Sequence, residues 1–195
     1  MTDIRDLDRH AVQTSVDIVS TLASADLDRP TPCEGWTVRD LLAHMTAQHH
    51  GFAAAAHGKG GDLAVWAVQP LADDPVKAYA EAAETVIAAF AEPGALDRTF
   101  TLAEFGDHAF PAPMAMSFHF IDYVVHGWDM ARALGQPFEL AEDLTDTALK
   151  IALSVPDDEQ SRKPGTAFRH ALPASGETPL DRILTHLGRS PAWPA

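Results

Sequence analysis

The chain holds a single cysteine, Cys33, among 195 residues, which excludes an intrachain disulfide framework. It also lacks any apolar run approaching the roughly 20 residues that span a bilayer. Its opening stretch, MTDIRDLDRH, is charged and carries no apolar signal region, so a cytoplasmic location is expected. Basic residues are scarce: 14 Lys and Arg stand against 28 Asp and Glu, for a formal net charge of −14. Such a surface repels phosphate backbones and anionic lipid, so neither nucleic acid nor a membrane is expected as a partner. Its plain consequence is solubility. No internal repeat of fixed period is visible. What is present is an ordinary globular composition, 46% hydrophobic and 22% charged, in a chain long enough to bury a core. The length fits one domain, or one domain with a C-terminal extension.

Apolar periodicity is helical almost throughout. A first helix is expected over roughly Thr2 to Ala25, with Leu7, Ala11, Ile18 and Leu22 inward. Pro30, Pro32 and Gly35 then make a loop. Thr37 and Asp40 form a variant capping box for a second helix whose inner face carries Leu41, His44, Met45, Gln48 and Phe52. A third helix spans about Asp74 to Ala91, and Thr99 to Leu102 is a candidate short extended segment. A fourth runs from near Pro113 to Gly135, and a fifth from Ala141 to Val155. PDDEQSRKPG reads as an exposed loop and FRHALPAS as a candidate extended piece. Thr178-Pro179-Leu180-Asp181 starts a last helix, ended by Gly188. Four long helices with a long crossover between the third and fourth predict an all-α four-helix bundle.

The fourth helix carries charge on an apolar, aromatic background. His119, Asp122, His126 and Asp129 succeed one another at steps of three, four and three, which places them on one stripe. Asp122 and His126 are one turn apart, so a carboxylate oxygen and an imidazole nitrogen can meet at one point. With His44 from the second helix, three groups from two helices suggest a divalent metal site inside the bundle. The plainer alternative is a buried Asp–His hydrogen bond that fixes helix packing. His119 is a candidate fourth ligand or a group orienting the ligands from behind, with plain packing as the alternative. Asp129 is a candidate for orienting His126, or else an exposed charge paired with Arg132. Trp36 and Trp128 are expected as core or pocket walls. His49 and His50 are expected at the surface. Cys33, just before a helix, is a candidate for a lowered pKa, with packing as the preferred role.

Two motifs carry a resemblance. Pro32-Cys33-x-x-Trp36-x-Val38-x-Asp40-Leu41-x-x-His44 and Asp122-x-x-x-His126-x-Trp128-Asp129 resemble the N-terminal family of the mycothiol-dependent maleylpyruvate isomerases, within the DinB/YfiT-like metalloprotein superfamily. PLDRILTHLGRSPAW resembles the ending of a short actinobacterial subgroup. The resemblance implies a DinB/YfiT-like four-helix metal-binding bundle over residues 1–136, with residues 137–195 as a short helical extension packed on it. It implies His44, Asp122 and His126 as metal ligands; imidazole and carboxylate donors suit zinc first, with nickel, iron and manganese as alternatives. Family members often carry glutamate where this chain has Asp122, so with the shorter side chain the cation is expected to sit closer to the helix or to bind more weakly. The isomerase proper has a larger C-terminal domain that contributes catalytic residues, whereas the C-terminal part here is short, so isomerisation of maleylpyruvate itself is not expected.

The activity implied by the resemblance is that of a metal-dependent thiol transferase, using mycothiol or a similar small thiol against a small electrophile. The alternative is a non-enzymatic metal-bearing module that binds a small ligand or serves a stress response. Either works as a monomer or a homodimer.

Overall fold

The computed structural model describes residues 3–106, 108–163, 167–173, 176 and 178–194. Four long helices form the body: α1 (Ile4–Val19), α2 (Val38–Ala56), α3 (Pro75–Ala91) and α4 (Ala112–Leu134). Helix α1 packs on α4 and α3, and α2 packs on α3 and α4, so the four make a square with α1 and α2 on one diagonal. A two-stranded antiparallel hairpin, β1 (Thr99–Thr101) and β2 (Ala109–Pro111), sits in the crossover before α4. Phe100 pairs with Phe110 at its centre. Helices α5 (Glu142–Ser154) and α6 (Pro179–His186) pack on each other, and α5 rests on α4. Among the described residues no helix is long and apolar enough to cross a membrane.

Local chemistry sets the helix ends. Asp3 caps α1, its side chain accepting from the Arg5 amide at 3.0 Å. This helix ends at Val19, well short of the expected Ala25. The hydroxyls of Ser20 and Thr21 turn back onto the carbonyls of Asp17 and Ile18, which offers the backbone an alternative to further helix. Thr2 lies outside the described residues. At α2 the Thr37 hydroxyl accepts from the Asp40 amide, and the Asp40 carboxylate accepts from the Thr37 amide at 2.9 Å. Thr178 and Asp181 repeat the device at α6. Gly135 ends α4 at φ +70, a left-handed position that costs other residues more.

One apolar core runs through the bundle and α5 and α6, with Leu7, Val12, Leu41, Met45, Phe120 and Val124 at its centre. A second, built on Phe52, Phe90, Phe100 and Met116, lies beneath the hairpin. Each large buried side chain contributes on the order of 1.5–3 kcal/mol. Helix α4 is buried around most of its circumference, so any polar side chain on it needs a partner.

Outside the bundle residues 156–160 are exposed, as expected of that loop, and two details differ. Arg162, in the stretch expected as an exposed loop, is 4% exposed. Its guanidinium donates to the carbonyls of Pro156 and Val155, tying that loop to the end of α5. FRHALPAS forms no strand over 168–173; the Leu172 amide instead donates to the Thr185 carbonyl at 2.8 Å. Residues 174 and 175 lie outside the described residues.

Candidate metal centre

Helix α2 and the antiparallel run of α4 bring His44 opposite Asp122 and His126. One ligand atom from each of the three lies within 4.8 Å of the others. His126 is buried, and His44 and Asp122 are half-buried, so the cluster opens on the His44–Asp122 side. The two imidazoles meet edge to face, ring centres 5.2 Å apart. Trp36 closes one side, 5.0 Å from the His44 ring and stacked 6.3 Å from that of His126. Its place is set by the loop before α2. The Thr31 hydroxyl donates to the Trp36 carbonyl, the Thr31 amide donates to the same oxygen, and the Val38 amide donates to the Arg29 carbonyl.

The donor set suits a divalent cation. His126 Nδ1 lies 3.0 Å from Asp129 Oδ2, and its Nε2 lies 3.4 Å from Asp122 Oδ1. An imidazole that donates through Nδ1 offers a lone pair at Nε2. That lone pair then faces a carboxylate oxygen, and two acceptors at this separation are stabilised by a positive charge shared between them. Burial pushes the His44 imidazole down to about 4, with His126 adding to the effect and Asp122 opposing it. A neutral imidazole is the ligand form. Three protein ligands of imidazole and carboxylate type leave room for a further group on zinc.

Asp129 is completely buried rather than exposed, and its partner is Arg189, not Arg132. The Arg189 Nε lies 3.0 and 3.1 Å from the two Asp129 oxygens. Arg132 instead donates to the Trp193 carbonyl and lies over the Trp128 ring. Trp128 is two residues past His126 and so on the other side of α4; it does not wall the cluster. Cys33 meets Arg189 Nη2 at 3.4 Å. Burial pushes its thiol up to about 11, against the pull of Arg189, so this is not an activated nucleophile.

His119 belongs elsewhere. Two turns along α4 separate it from His126, roughly 10 Å of rise. Its Nδ1 meets Asp8 Oδ1 at 2.6 Å, and its Nε2 meets His49 Nδ1 at 3.2 Å. His49, expected at the surface, is fully buried, stacked on Tyr123 with ring centres 4.2 Å apart. His50 is exposed. Asp8, His119 and His49 thus form a polar thread through the apolar core. Asp8 interrupts the inner stripe of α1 between Ile4 and Ala11, and that interruption was the readable signal for it. Gln48, one turn past His44, donates to both carboxylate oxygens of Glu104 at 3.1 Å. Burial holds the Glu104 carboxyl above the usual range, Gln48 opposes this, and the Asp122 charge adds to it. A cleft of about 380 Å³ lined by Ala43, Ala47, His50, Val65, Leu71 and Ala78 lies on another face of α2 and shares no residue with the cluster.

Comparisons with known proteins agree with this architecture. The chain is 29% identical over 179 residues to "Uncharacterized protein Rv0738" of Mycobacterium tuberculosis (strain ATCC 25618 / H37Rv), covering 89% of this chain and 90% of that one. "Uncharacterized protein MT0763" from strain CDC 1551 / Oshkosh matches equally. A crystal structure of a mycothiol-dependent maleylpyruvate isomerase superposes with a TM-score of 0.57 at 15% identity, over 78% of this chain and 70% of that one. A histidine-to-alanine variant of such an isomerase superposes at 0.59 and 16% identity over the same shares. At these identities the likeness establishes the fold, which is DinB-like and mostly helical. The model of the mycothiol maleylpyruvate isomerase N-terminal domain matches residues 9–131, the stretch that holds α2, most of α4 and all three converging side chains, and the chain belongs to that family.

Proposed function

We propose that His44, Asp122 and His126 hold a divalent cation, zinc first, and that the protein is a metal-dependent transferase joining a mycothiol-type thiol to a small electrophile. The convergence of three ligand atoms from α2 and α4 within 4.8 Å carries this reading. The names of the structural relatives support the choice of thiol. When bound there, the cation would stabilise the negative charge of a thiolate sulfur.

The chain's own groups have defined tasks. Asp129 holds the His126 ring in one orientation from behind. Trp36 packs on both imidazoles and shields them from water on that side. The half-buried side, past His44 and Asp122, is where thiol and electrophile enter. Gln48, one turn past His44 on α2, holds the Glu104 carboxylate through two hydrogen bonds.

Protein purified without a histidine tag is expected to carry about one divalent metal per chain by elemental analysis. His126→Ala is expected to lose most of it. Metal content unchanged in that variant overturns the reading. Thiol-dependent turnover of model electrophiles, abolished by chelation, then separates the transferase from a non-catalytic metal carrier.

A further inference from the structure

We propose that Phe105, Phe118 and Met114 form a shelf beside the metal centre that receives the electrophile, and that they select an uncharged one built on an aromatic ring. This deepens the transferase reading and rests on it for the reaction. The seating of a ring on the shelf is a separate event that needs no metal.

The burial of α4 marks the way to the cluster. Between Pro113 and Asp122 the residues that reach solvent are Pro113, Met114, Ser117, Phe118 and Asp122, and from Tyr123 to Ala131 all are buried. The open strip of the helix therefore ends on Asp122, at the half-buried side of the cluster. Met114, Phe118 and Asp122 follow one another at steps of four, which puts them in one row. Across the seam Gln48 stands one turn past His44, toward the same end of the bundle. A short 3₁₀ turn, Ala103–Phe105, straddles that seam. Its Glu104 accepts both hydrogen bonds from Gln48 of α2, and its Phe105 stacks on Phe118 of α4 with ring centres 5.6 Å apart. Phe110, from β2, meets the two rings edge to face at 5.6 and 5.3 Å.

The fold holds these side chains at the surface. Phe110 and Phe118 pack on the second core, but Phe105 and Met114 are each 49% exposed. The turn that presents Phe105 is tied at both ends. The Ala103 amide donates to the Gly60 carbonyl at 3.0 Å, and the Phe105 amide donates to the Leu102 carbonyl at 2.9 Å. Gly106 leads out of it at φ +73 and ψ −150, a backbone that suits glycine. Apolar side chains grouped in water beside a polar cluster mark a binding surface. Phenylalanine rings and a thioether favour a planar aromatic partner. The Glu104 carboxylate next to them disfavours an anionic one.

The test compares zinc-loaded protein in mycothiol transfer onto chlorodinitrobenzene, onto its carboxylate-bearing analogue chlorodinitrobenzoate, and onto iodoacetamide, which has no ring. In each reaction the thiolate sulfur bonds to the carbon that bears the halogen. The carbon–halogen bond breaks, halide leaves with the bonding pair, and the thiol proton passes to solvent. Each rate is divided by that of the uncatalysed reaction. Wild-type protein is expected to favour chlorodinitrobenzene. The double variant Phe105→Ala with Phe118→Leu is expected to lower the ratio of kcat/KM for chlorodinitrobenzene to that for iodoacetamide about 3–10-fold, mostly through KM. An unchanged ratio overturns the shelf, and equal or better use of chlorodinitrobenzoate overturns the choice of an uncharged ring. Should the double variant fail to fold, the ratio for Phe105→Ala alone, at a half-exposed site, decides in the same way. Seating of the ring is followed by titrating dinitroaniline, which has no leaving group, into metal-free protein, where the methyl NMR signal of Met114 is expected to shift. Shifts confined to the cleft lined by Ala43 and Leu71 overturn the proposal. Wild-type protein inert toward all three electrophiles overturns the transferase reading instead, and the titration then decides the shelf.

Discussion

At the scale of single residues, two histidine systems share α4 and answer to different partners. His126 faces Asp122 and Asp129; His119 faces Asp8 and His49. Replacing His119 leaves a carboxylate buried without its partner, a change worth about 3–5 kcal/mol. His119→Ala is therefore expected to lower the urea midpoint strongly while metal content per folded chain stays unchanged. Loss of metal in that variant would make His119 a ligand after all. Acid acts through the buried imidazoles. Burial holds His49 well below its ordinary value of 6.5, with His119 and His50 adding to it, and burial holds His44 at about 4. Between those values and 6.5 the unfolded chain binds protons that the folded chain refuses. The stability is fully present above pH 6.5 and is lost as pH falls below it, by up to about 1.4 kcal/mol per pH unit for each histidine. Urea midpoints of metal-free protein at neutral and mildly acidic pH measure this, and His49→Phe is expected to flatten the slope.

At the scale of elements, helix ends and close approaches set the geometry of the centre. Thr37 joins the loop that places Trp36 to the helix that carries His44. Thr37→Ala removes an N-cap and is expected to cost about 1 kcal/mol by denaturant unfolding. Gly51, on the same helix, lies under the Trp66 indole, where a Cβ would come within 2.2 Å of the ring. Gly51→Ala is expected to cost about 1–3 kcal/mol as the segment 63–66 is pushed off α2. The helix order, the capping boxes at Thr37 and Thr178, and the Gly135 stop were all legible, because caps and periodicity are local. The end of α1 was not. Ser20 and Thr21 choose between continuing the helix and folding back on it, and apolar spacing does not report that choice. The burial of Arg162 within its exposed loop was not legible for a related reason: a polar side chain reads as solvated unless its carbonyl partners are known.

At the scale of the whole molecule, the C-terminal segment reaches the four-helix body through Arg189, which meets Asp129 beside His126. A cation bound only by the folded chain stabilises it by mass action, about 2.7 kcal/mol at a hundredfold excess over the dissociation constant. For a chain of this size that corresponds to a rise in Tm of roughly 5–11 °C. Calorimetry of chelator-treated protein with and without added zinc checks it; a Tm indifferent to zinc argues against a site in the folded state. The net charge of −14 adds mutual repulsion within the compact chain, so the metal-free protein is expected to gain stability with moderate salt.

The sequence by itself determined the elements and their faces. Steps of three and four residues put Asp122, His126 and Asp129 on one side of one helix, since a helix repeats every 3.6 residues whatever surrounds it. Tertiary structure alone decided which of those side chains meet, and what they meet. His44 comes to Asp122 across the α2–α4 seam, Asp8 comes to His119 from 111 residues away, and Arg189 comes to Asp129 from 60 residues away. Such partners are chosen by the packing of whole helices, which leaves no trace in the spacing along any one of them.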